Sequence, residues 1–101
     1  PGVDIVHIGS SDLSADLGFP GQNSHPRILG AIERVVAACR KHGKVPGMGG
    51  LSGGGTRPYE QAIKLGARFF SAANEWSLMM AAGEERVREL RALTPRGTGD
   101  E

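Results

Sequence analysis

Apolar positions follow two rhythms along this 101-residue chain. Short runs rich in β-branched residues alternate with longer stretches whose apolar residues recur every three or four positions. Ile5-Val6-His7-Ile8 predicts a first strand, which stops at Gly9. Alternation directs His7 away from the side taken by Val6 and Ile8. It is then a layer residue inside a barrel or a core residue against a helix. Ser11 to Gly18 predicts a short helical turn, capped by Ser11 or Asp12 and ended by Gly18. Phe19 to Asn23 is loop, with a Pro20-Gly21 turn. Asn23 or Ser24 then caps a long helix with Pro26 in its first turn. Ile28, Leu29, Ile32, Val35, Val36 and Cys39 form its apolar stripe, suited to packing on a sheet, and Gly43 ends it.

The pattern repeats twice. Lys44 to Met48 predicts a second strand, although Pro46 is unwelcome in a central strand unless its missing N–H faces no partner. Gly49 to Gly55 is a glycine-rich loop. Thr56 caps a helix with Pro58 in its first turn, an apolar face of Tyr59, Ala62, Ile63 and Leu65, and Gly66 at its end. Ala67 to Ala72 predicts a third strand. Asn74 opens a last helix through Trp76, Leu78, Met79 and Met80; Gly83 is a possible interruption, and Val87, Leu90 and Leu93 continue it. Thr94 to Glu101 is a polar tail.

Strand and helix alternating three times imply an α/β fold with parallel strands. Helices on one side leave the other sheet face bare. A closed (β/α)8 barrel removes that problem but needs eight units and about 250 residues. The pattern therefore points to a piece of a larger protein, or to a chain completed by association. The opening on Pro1-Gly2, almost directly inside a strand, agrees with the first.

Composition narrows the function classes. A net charge of +1 gives no electrostatic footprint for nucleic acid. No apolar run is long enough to span a bilayer, so no membrane partner is expected. The three His and one Cys have the wrong spacings for a zinc site. Cys39 reads as a small buried hydrophobe, and a lone cysteine favours a reducing, cytoplasmic setting.

Three stretches carry candidate chemistry. Asp12 follows the end of a predicted parallel strand, where ligand-facing residues gather. It either ligates a hard divalent cation through oxygen or merely caps the turn. The glycine loop before Thr56 is either a flexible loop or a phosphate cradle, although it lacks the GxxxxGK[ST] pattern. Glu75 suits the positive end of the last helix. Trp76, Met79 and Met80 suit core packing or an interface between subunits.

Gly2-Val3-Asp4-Ile5-Val6-His7-Ile8-Gly9-Ser10-Ser11-Asp12-Leu13-Ser14 resembles the GVDGxFIGPxDLS motif of the HpcH/HpaI family of 2-keto acid aldolases. Leu17-Gly18 with Asn23-Ser24-His25-Pro26 is similar to the family's LG…HPxVxxAI stretch. Lys44-Val45-Pro46-Gly47 and Leu65-Gly66-Ala67-Arg68-Phe69 resemble its GKxxG and LGAxF strands. The resemblance runs from Gly2 to about Leu93.

The resemblance implies that residues 1–93 are the C-terminal part of a TIM-barrel aldolase domain, about three βα units. It implies a divalent cation (magnesium, manganese or cobalt) and cleavage of a 4-hydroxy-2-oxo acid to pyruvate, or a related 2-oxo acid, and an aldehyde. Asp12 falls on the metal-binding aspartate. Ser11 falls on the position whose backbone contacts the 2-oxo acid, and Gly9 on the glycine closing the strand. A second metal ligand, the catalytic base and a substrate-binding arginine are expected upstream, since His7, His25 and His42 do not match the base. The chain alone is then expected to be inactive, and the parent a homo-oligomer. Ser10 replaces the usual proline, which is expected to loosen the turn. The competing readings are a non-catalytic α/β fragment acting by self-association and a phosphate-binding barrel half.

Overall fold

The structure, a computed structural model, describes residues 1–51, 55–93 and 95. Its elements run β1 (Ile5–Gly9), α1 (Ser10–Asp16), α2 (Pro26–His42), β2 (Val45–Gly49), α3 (Arg57–Leu65), β3 (Phe69–Phe70) and α4 (Glu75–Ala92). Among the described residues the strands form one parallel sheet in the order β1-β2-β3. The predicted element order holds. The tail at 94–101, apart from residue 95, and the middle of the glycine loop at 52–54 lie outside the described residues.

One face of the sheet is packed. Ile8 of β1 and Met48 of β2 meet Ile28, Ile32 and Val36 of α2 and Ala62 of α3, all buried. The stripe read in α2 is thus the face that makes the core. Cys39 is buried at its far end. Each of these isoleucines contributes about 1.5–3 kcal/mol on leaving water. The opposite face carries Ile5, His7, Val45 and Phe69 and has no layer over it among the described residues.

Pro46 sits in the central strand because of register. Its carbonyl accepts the Arg68 N–H at 2.8 Å, so its backbone faces β3. Pairing with β3 begins one residue later, at Gly47 and Phe69. The missing N–H therefore costs no ladder bond.

Three expectations are corrected. α2 is capped by His25, whose Nδ1 accepts the Arg27 N–H at 3.2 Å, and not by Asn23 or Ser24. Pro26 takes the first helical position and holds the residue before it extended, so the cap falls on His25. Asn23 Oδ1 is buried without a hydrogen-bond partner among the described residues. β3 spans only Phe69–Phe70, because the Ala67 N–H closes the end of α3 on the Ala62 carbonyl at 3.0 Å. Gly83 does not interrupt α4, which is continuous and capped by Asn74 as expected.

α4 buries none of its residues. Trp76, Met79, Val87 and Leu90 all lie open. The molecule measures 65 × 28 × 21 Å, with a radius of gyration of 19.0 Å. A compact chain of this length has about 13 Å.

Candidate functional site

The C-terminal ends of β1 and β2 meet the start of α1. β1 passes into α1 without a linker, and Gly9 is the N-cap residue. Neither Ser11 nor Asp12 caps α1, since the helix begins at Ser10, before both. The backbone N–H groups of Ser10, Ser11 and Asp12 thus belong to the first turn, which lacks partners within the helix.

Ser10 does not loosen this junction. It is fully buried, and its hydroxyl donates to the Gly49 carbonyl at 2.6 Å. The bond ties the start of α1 to the end of β2. Ser14, also fully buried, donates to the Ser11 carbonyl at 2.9 Å. Gly50 backs onto the same corner at φ +73°, where a Cβ would lie 2.8 Å from Ser11 Oγ. Two hydroxyls and two glycines therefore hold Ser11 and Asp12 in place.

Asp12 is exposed, in the first turn of α1. A Cβ built on Gly9 would lie 3.2 Å from its Oδ2. The carboxylate thus stands where a Gly9 side chain would go, which is the face of β1 that carries His7. It has no hydrogen-bond or ion-pair partner among the described residues. An unpaired carboxylate over a glycine fits one oxygen position around a hard divalent cation. Among the described residues no three His, Cys, Asp or Glu side chains gather to complete such a site.

The histidines separate. His25 and His42 lie at opposite ends of α2, and His25 stacks on Phe19 with ring centroids 3.6 Å apart. His7 lies on the open face, its ring edge-on to Phe69 at 5.7 Å and its Nε2 3.1 Å from Ser71 Oγ. Glycines make room for it: a Cβ at Gly47 would come 2.9 Å from His7 Nδ1, and one at Gly49 2.7 Å from Nε2. The His7–Ser71 pair is invisible in sequence, since it spans 64 positions and depends on strand register. Glu75 stays in the first turn of α4, where the dipole favours it. Thr56 donates to Glu60 Oε1 at 3.3 Å, which sets a carboxylate at the start of α3.

The model of the family described as HpcH/HpaI aldolase/citrate lyase matches residues 1–80. A 4-hydroxy-2-oxo-heptane-1,7-dioate aldolase of Escherichia coli is 37% identical over 83 residues, covering 82% of this chain and 30% of that protein. The enzyme of the same name from Salmonella paratyphi B is 36% identical over the same shares. The chain thus spans about a third of the length of the curated relatives it matches. An HpcH/HpaI aldolase/citrate lyase family protein of Burkholderia cenocepacia superposes with a TM-score of 0.77 at 32% identity, over 90% of this chain and 34% of that one. An HpcH/HpaI aldolase of Desulfitobacterium hafniense gives 0.75 at 27%, over 94% and 36%. Among the described residues no helix is long and apolar enough to cross a membrane. With the family model matched along most of its length and two such structures superposing on nearly all of it, the chain belongs to the HpcH/HpaI aldolase/citrate lyase family.

Proposed function

We propose that this chain forms about three C-terminal βα units of a (β/α)8-barrel aldolase that cleaves a 4-hydroxy-2-oxo acid to pyruvate, or a related 2-oxo acid, and an aldehyde. The observation that carries the reading is the Asp12 carboxylate, unpaired and standing over Gly9 at the end of a parallel strand, in a chain of this family. In this reading the open face of the sheet lines the barrel interior. His7 and Phe69 come from alternate strands, with Gly47 between them leaving space, as barrel layers require.

Asp12 holds a divalent cation (magnesium, manganese or cobalt) together with a ligand from another part of the barrel. When bound, the cation acts as a Lewis acid toward the keto oxygen of the 2-oxo acid. The chain's own residues bind and orient. The amides of Ser11 and Asp12 donate to the carboxylate of the 2-oxo acid from the first turn of α1. Gly9 keeps the strand end free of a side chain, and Ser10 fixes the turn through Gly49. The base that takes the 4-hydroxyl proton and the substrate-binding arginine belong to the rest of the barrel, so this chain alone is inactive. We assign the whole protein to the cytoplasm.

A specific observation also favours self-association. Trp76, Met79, Val87 and Leu90 recur at helical spacing along α4 and are 47–68% exposed. We assign this stripe to contact with another subunit of a homo-oligomer. The phosphate reading of the glycine loop is less favoured, because the Glu60 carboxylate beside Thr56 repels an anion at the start of α3.

An aldol assay on the intact protein tests the reading. Metal-dependent turnover of pyruvate with an aldehyde is expected, abolished by chelation. Asp12→Asn lowers kcat/KM about 100-fold or more, beyond the ~10–100-fold effect of an outer-shell partner. Turnover that survives both chelation and the substitution contradicts it.

A further inference from the structure

Register continues past β3 to set Ser71 beside Gly49, since the Ser71 N–H reaches the Met48 carbonyl at 3.3 Å. Gly9 pairs with Gly49 on the other side. At the strand ends the open face therefore reads Gly9, Gly49, Ser71, with side-chain atoms from Ser71 alone. The Asp12 carboxylate stands over Gly9 at one side, and the Ser71 hydroxyl lies beside Gly49 at the other. His7, one layer below, lies across β2 and reaches up to Ser71. Any side chain at Gly49 would destroy this pairing: its Cβ would lie 2.6 Å from Ser71 Oγ and 2.7 Å from His7 Nε2.

We propose that Ser71 is a substrate-contacting residue that selects the aldehyde half of the substrate, and that His7 is its positioning residue. The inference rests on the aldolase reading above. Ser71 lies two strand spacings from Gly9, roughly 10 Å. A 2-oxo acid held at Ser11 and Asp12 covers the end of β1, so Ser71 meets the remote part of the molecule. With His7 Nε2 holding one side of the hydroxyl, its remaining donor or acceptor capacity is turned to the ligand. Ser71 also lines a cleft of about 210 Å³ with Gly50, Leu51, Ala73 and Asn74. In that cleft the Asn74 side-chain Oδ1 accepts the Ser77 N–H at 2.8 Å. The Ser71 hydroxyl is a neutral group that both donates and accepts, which suits a neutral hydroxyl partner. The chemistry selected is a hydroxyl on the aldehyde fragment.

The test measures kcat/KM of the intact protein for pyruvate addition to a hydroxyaldehyde and to an alkyl aldehyde of the same length. The ratio of the two values falls about ten-fold in Ser71→Ala and His7→Phe, the worth of one hydrogen bond. Ser71→Thr, which keeps the hydroxyl, retains the wild-type ratio. A ratio unchanged in Ser71→Ala overturns the inference and leaves the aldolase reading intact. A wild-type protein with no turnover of either aldehyde overturns both. If His7→Phe fails to fold, Ser71→Ala against Ser71→Thr still decides.

Discussion

Ser10 shows how much one hydroxyl does at this junction. It is fully buried and donates to the Gly49 carbonyl, so its loss removes a buried hydrogen bond between α1 and β2. Ser10→Ala is expected to cost about 0.5–1.5 kcal/mol in chemical denaturation of the intact protein. A change below about 0.5 kcal/mol would mean that water replaces the bond. The residue-level chemistry was only partly legible in the sequence. Asp12 stands out from its place after a β-branched run. Its position over Gly9 does not, because the first turn of α1 folds the carboxylate back. Nor does the role of Ser10, which reads as a substitution for proline until β2 brings Gly49 beside it.

At the scale of elements, periodicity and end signals predicted α2 well. Ile28, Ile32, Val36 and Cys39, four of the six stripe residues, are buried, and Gly43 ends the helix at φ 64°. Starts were harder to read, since Pro26 moved the cap to His25. β3 is shorter than the Ala67 to Ala72 run suggests because the end of α3 uses the Ala67 N–H, which only the folded turn reveals. The contact between α2 and α3 is close at Gly66, which has φ +114° and where a Cβ would come 2.7 Å from Val36 Cγ1. Gly66→Ala combines backbone strain with that clash and is expected to cost more than about 1 kcal/mol. A melting temperature equal to wild type would show that the two helices separate more easily than the packing implies. Ile32→Ala, at the centre of the same core, is expected to cost about 2–5 kcal/mol.

For the whole molecule, two surfaces stand without a covering layer among the described residues: the open sheet face and α4. The open sheet face follows from counting, since three βα units cannot close a barrel, whereas for α4 the sequence offers Trp76, Met79 and Met80 as core or subunit contact. What each surface contacts is set by chain beyond these elements or by another subunit, which local periodicity cannot encode. If α4 joins subunits, Leu90→Asp in the intact protein shifts its mass in solution toward the monomer. An unchanged oligomer by light scattering would place the interface elsewhere.

The role proposed for Asp12 is that of one ligand to a divalent cation in an aldolase of this family. Manganese binding to the intact protein, followed by electron paramagnetic resonance, tests it most directly because it does not depend on turnover. The expected result is one site per chain, with affinity at least ten-fold weaker in Asp12→Asn, a difference of about 1.4 kcal/mol. Equal affinity in a folded Asp12→Asn protein would contradict the account.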